Sequence, residues 1–112
     1  MNVERRIAET NDRIEHLKSK LHDELAGTID AFRLSDLSNQ LAHQQGCLHT
    51  YRQFLKILGS REDQTKAVIL IAAAVTHFGA DDTWSGRGND AKRSHHDGRL
   101  EALGYLLTQA AE

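Results

Sequence analysis

Nine consecutive apolar residues, Ala67 to Val75, stand in a chain that is otherwise polar and charged. A run this apolar has to be buried on most sides. The other segments must therefore pack around it, or copies of it must pack together in an oligomer. Val68 to Ile71 alone could form a buried strand, but Ala72-Ala73-Ala74 follows directly and favours helix. Ser60-Arg61-Glu62-Asp63 supplies a capping signal, so the expected helix runs over about 61–78 with Gly79 as its terminator. The run is too short to cross a bilayer, which takes about 20 residues.

The rest of the chain reads as helix too. It contains no proline, aromatics are only 5%, and Val, Ile and Thr do not alternate with polar residues as in strands. Val3, Ile7, Ile14, Leu17, Leu21 and Leu25 recur at helical spacings, with Thr10 filling a gap, and predict a helix over about 2–26. Arg5–Glu9, Glu9–Arg13 and Glu15–Lys18 add ion pairs worth about 0.2–0.5 kcal/mol each. Such a helix suits either a coiled-coil arm or a bundle. Leu34, Leu41, Leu48 and Leu55, spaced by seven and interleaved with Leu37, Tyr51 and Leu58, predict a second helix over about 35–58. Gly27 and Thr28 break the first helix, and Asp30 or Ser35 can cap the second. So short a connection makes the two an antiparallel hairpin.

Two features of the second helix carry information about packing. Gly46 costs about 1 kcal/mol relative to alanine in a helix interior. It marks either close approach by another helix or a tolerated weakness. Between Ser38 and Thr50 there is no charged residue; Asn39, Gln40, His43, Gln44, Gln45 and His49 supply the polarity. Such a face suits partial burial against another helix or chain, with Gln44 reaching the rim of the apolar stripe. Residues 79–98 read as one long irregular loop. Asp97-Gly98 leads from it into a short last helix over about 99–110, striped by Leu100, Leu103, Leu107 and Ala110. The expected fold is all-α. It is a small bundle in one domain, 1–112, with an antiparallel N-terminal hairpin, a buried apolar third helix and a short C-terminal helix after a long loop.

Net charge −2 gives no basic footprint for nucleic acid. A single cysteine, Cys47, excludes an intramolecular disulfide, and Met1 to Ile7 lacks the apolar core of a signal peptide. A cytoplasmic protein is expected. His77, Asp81, Asp82, His95, His96 and Asp97 bracket the loop and form a weak metal-ligand set. Adjacent His95 and His96 cannot both face inward from a helix, so polar loop residues and caps are the preferred reading, with no metal and no cofactor. Ser85-Gly86-Arg87-Gly88-Asn89 lacks the Lys-Ser/Thr ending of a phosphate loop. Arg87, Lys92, Arg93 and Arg99 are offset by Asp81, Asp82, Asp90 and Asp97. Trp84 is either an interface anchor alongside Arg87 or a plug for the core. His43 and Cys47 are four apart and make half a zinc site for which the sequence places no third ligand nearby. An inert buried thiol is the preferred reading.

These features favour a helical protein–protein interaction protein: an adaptor, inhibitor or assembly factor, homo-oligomeric and non-enzymatic. Its expected partner-binding residues are Trp84, Arg87, Gln40, His43, Gln44 and Tyr51. Neither nucleic acid nor a membrane is an expected partner. The alternatives are a metal-dependent hydrolase-like protein built on the His/Asp residues around the loop, and a nucleic-acid accessory protein.

Overall fold

The computed structural model describes residues 3–27, 30–59, 63–79 and 90–110. They form four helices: α1 (Val3–Ala26), α2 (Ala31–Gly59), α3 (Gln64–Gly79) and α4 (Asp90–Ala110). The bundle measures 50 × 33 × 22 Å. Among the described residues no helix is long and apolar enough to cross a membrane.

The N-terminal pair forms as the sequence predicts. Val3, Thr10, Ile14 and Leu17 turn inward from α1, and Thr10 satisfies its buried hydroxyl by donating to the Arg6 carbonyl at 2.7 Å. Arg5–Glu9 and Lys18–Glu15 pair at 3.1 and 3.4 Å on the exposed side, where they add little. α2 starts four residues earlier than the predicted 35. Of the two candidate caps it is Asp30 that acts: its Oδ1 accepts from the Phe32 and Arg33 amides at 3.0 and 3.3 Å. Arg33 also pairs with Glu24 at 3.2 Å, tying the end of α1 to the start of α2.

α2 is the central helix, packed against α1, α3 and α4, with the α2–α4 contact the most extensive. The core joins Tyr51 and Phe54 of α2, Ala67, Val68, Ile71 and Val75 of α3, and Ala102, Leu103 and Leu106 of α4, with Val3 closing one end. α3 is capped by Asp63, whose Oδ1 accepts from the Lys66 amide at 2.7 Å. Ser60, the other half of the predicted capping signal, lies outside the described residues. The apolar run is helical and half enclosed. Ala67, Val68, Ile71 and Val75 are buried, while Ile69 is 61% and Leu70 45% exposed. Among the described residues, α2 and α4 are the helices in extensive contact with α3, and α1 packs against α2.

The largest departure from expectation is at α4. It begins at Asp90, so 90–98, read as the end of the loop, is more than two turns of helix. The Asp97-Gly98 pair, expected to lead from the loop into the last helix, lies inside this helix. Gly98 is there because the α2 backbone lies against it. A Cβ at Gly98 would overlap the His43 carbonyl oxygen, and a Cβ at Gly46 would overlap the His95 carbonyl oxygen. The two glycines face each other across the crossing and let the main chains touch. The uncharged stretch of α2 is explained by the same contact. The helix that lies along it is the N-terminal half of α4, from the same chain. Gly104 of α4, by contrast, has no neighbouring element within 4 Å of where its Cβ would be.

Candidate functional site

The α2–α4 crossing gathers the polar chemistry of the chain. On one flank His43 and Cys47, one helical turn apart on α2, meet Glu101 of α4. The His43 Nε2–H donates to Glu101 Oε2 at 2.7 Å, and the Cys47 thiol lies 3.2 Å from both Glu101 Oε2 and the Gly98 carbonyl oxygen. The three ligand atoms lie within 4.8 Å of one another. Cys47 is buried, His43 half-buried and Glu101 exposed. Burial pushes the Cys47 thiol up to about 12, helped by the hydrogen bond to the Glu101 carboxylate and by its charge. The hydrogen bonds from His43 and Cys47 hold Glu101 below the usual carboxylate range.

Beside this cluster opens a cleft of about 430 Å³ between α1 and α2. Arg13, His16 and Lys20 line it from α1, and Gln40, His43 and Gln44 from α2. Gln44 Oε1 is buried with no hydrogen-bond partner. Gln40 holds its amide to Asp36 Oδ2 at 2.8 Å.

On the other flank Arg99 is buried among neutral groups. Its Nε donates to Thr50 Oγ1 at 3.2 Å and an Nη to Gln53 Oε1 at 2.7 Å. The Thr50 hydroxyl in turn donates to the Gly46 carbonyl oxygen at 3.0 Å. Burial lowers the Arg99 pKa from its ordinary value. The rings of His49 and His95 meet nearby, 6.1 Å between centroids. Both imidazoles are held below their ordinary pKa, first by burial and then by neighbouring positive charge: Arg99 acts on both, and His49 and His96 act on His95. In the unfolded chain these histidines bind protons near pH 6.5. The fold binds them only at lower pH, so the stability they contribute is complete above 6.5 and is lost as pH falls through their depressed values. Urea midpoints measured at pH 7.5 and 5.5 should therefore drop on acidification. The drop should shrink in His95→Gln. An equal drop in both proteins would show that the pair does not drive it.

Of the residues expected to bind a partner, Gln40, His43 and Gln44 come together in the cleft. Tyr51 does not join them. It is buried in the core, edge-on to Tyr105 at 6.0 Å, so its role is packing. Arg6 sits over the Tyr105 ring at 4.1 Å and closes that end. Trp84, Arg87, Asp81 and Asp82, and the side chain of His77, lie outside the described residues. The remaining members of the weak metal set are not brought together. His95 turns toward His49, His96 is half-buried and Asp97 is exposed, because successive residues on a helix point about 100° apart. The cluster with metal-ligand spacing among the described residues is His43, Cys47 and Glu101 instead. The His43–Cys47 spacing was visible in the sequence. Glu101 was not, because its position depends on α4 crossing α2 at Gly98. No protein family, curated protein or solved structure matches this chain.

Proposed function

We propose that this chain is a small, non-enzymatic helical interaction protein of the cytoplasm, an adaptor, inhibitor or assembly factor, and that it works as a homodimer through the outer face of α3. The observation that carries this reading is the uncovered half of the apolar run. Ile69, Leu70 and Ala73 are exposed, and no charged residue falls between Ala67 and Thr76. Exposed leucines scattered singly are ordinary; an uncharged apolar strip along one helix is a docking surface. Leu100 and Leu107, seven apart on α4, are also exposed, on a helix that packs against α3.

A second copy is the occupant that suits this strip. A two-fold interface places the same patch opposite itself, so a patch with charges of one sign would repel its copy. This one carries none between Ala67 and Thr76. Ala73 lies near the middle of α3, where its small side chain allows two antiparallel copies to approach closely, with Ile69 and Leu70 filling the space on either side. The single thiol fits a reducing compartment.

Light scattering should return a mass twice the 12.5 kDa of the chain. Ile69→Lys combined with Leu70→Lys should return the monomer with unchanged helicity, since both positions are exposed. A wild-type protein that stays monomeric at high micromolar concentration would overturn the dimer. A dimer that survives the double substitution would remove α3 as its interface.

A further inference from the structure

We propose that His43, Cys47 and Glu101 form a binding site for a zinc-type divalent cation on the α2–α4 seam, with at least one coordination position left to water. The proposal does not rest on self-association through α3.

The spacing comes first. A tetrahedral zinc with bonds of about 2.0–2.3 Å sets its donor atoms roughly 3.3–3.8 Å apart. Here His43 Nε2 and Glu101 Oε2 are 2.7 Å apart, and Cys47 Sγ and Glu101 Oε2 are 3.2 Å apart. All three atoms fall within 4.8 Å of one another. Protons hold the donors together where a cation would hold them. The two pairs that include Glu101 must each spread by less than about 1 Å to admit the cation, while Nε2 and Sγ stand within 4.8 Å of each other. Glu101 can supply that movement, because its side chain is 61% exposed. The platform beneath is rigid. His43 and Cys47 share one face of α2, and the touching main chains at Gly46 and Gly98 fix the distance to α4.

The donor set selects the cation. One thiolate, one imidazole and one carboxylate suit zinc, and the sulfur disfavours magnesium and calcium. Charge and protons balance. The Cys47 thiol gives up its proton to solvent as sulfur binds. His43 binds through Nε2, with its ring proton carried on Nδ1. Glu101 binds as the carboxylate it already is. Two negative ligands and one divalent cation leave a neutral assembly, which is the charge state a half-buried site tolerates best. Arg13 of α1 faces this flank and opposes the cation, but it is exposed and therefore screened by solvent.

The test uses the full chain, stripped of metal and titrated with Co²⁺ and then Zn²⁺. One equivalent of Co²⁺ should produce a thiolate-to-cobalt charge-transfer band. Cys47 is the single thiol, so the band reports on it alone. Zn²⁺ should bleach the band and raise the melting temperature. Cys47→Ser should abolish the band, and Glu101→Gln should weaken binding by at least about tenfold. If Cys47→Ser fails to fold, exposed Glu101→Gln decides the matter alone. The proposal is overturned if folded wild-type protein gives no band. It is equally overturned if Glu101→Gln and His43→Gln bind Co²⁺ as the wild type does, which would remove both residues from the site.

Discussion

Gly98→Ala and Gly46→Ala should each destabilise the protein by about 3 kcal/mol or more, although alanine is the better helix former by about 1 kcal/mol. The propensity gain is outweighed because each new methyl would overlap a main-chain carbonyl of the facing helix. A backbone carbonyl cannot rotate aside as a side-chain terminus can, so the helices themselves must separate. Separation would loosen Cys47, Ala102, Leu103 and Leu106 together, since α2 and α4 share the main core. For a domain whose whole stability is about 5–15 kcal/mol, a loss of this size is severe. Gly104→Ala supplies the control of opposite sign. It lies in the same helix with no atom within 4 Å of the added Cβ, so it should stabilise by roughly 0.5–1 kcal/mol. Urea unfolding of the three variants checks the pattern; a Gly98→Ala protein as stable as the wild type would mean that the two main chains do not touch.

That crossing also marks where the sequence stopped being informative. The α1 stripe, the heptad of leucines in α2 and the apolar run of α3 were legible because each is a local periodicity, and helices bury what their periodicity gathers. Asp97-Gly98 was misleading for a physical reason. Glycine signals a turn when its free backbone is used and signals contact when its missing side chain is used, and the two demands look identical in one dimension. With Gly98 taken as a boundary, 90–98 became loop, and the uncharged stretch of α2 suited burial against either another helix or another chain. Its partner is α4. The candidate site was half legible for the same reason. His43 and Cys47 are linked by helical periodicity within α2, whereas Glu101 is linked to them only through the register of two helices. The weak set around His95 to Asp97 was drawn from residues close in sequence, and a helix disperses such residues around its circumference.

Ile71→Ala should cost about 2–5 kcal/mol, and Ile69→Ala, two residues away in the same unbroken apolar run, less than about 0.5 kcal/mol in dilute solution. Composition cannot separate these positions; both are isoleucine and both have apolar neighbours. Orientation separates them. Ile71 is fully buried between α2 and α4, and truncating it leaves a cavity that the surrounding side chains fill only partly. Ile69 faces outward and loses only surface already in water. Self-association changes the second value in a measurable way. If two copies bury Ile69 against each other, dimerisation stabilises the fold by mass action, and the stabilisation grows with protein concentration. The cost of Ile69→Ala should then rise as the protein is concentrated, while the cost of Ile71→Ala stays nearly constant. Chemical unfolding at low and high micromolar concentration reads both dependences. Equal costs for the two substitutions at every concentration would mean that α3 is rotated relative to its neighbours, and the outward strip would no longer be an interface. A small, flat cost for Ile69→Ala would leave α3 as described and remove the dimer alone, so the two conclusions stand or fall separately.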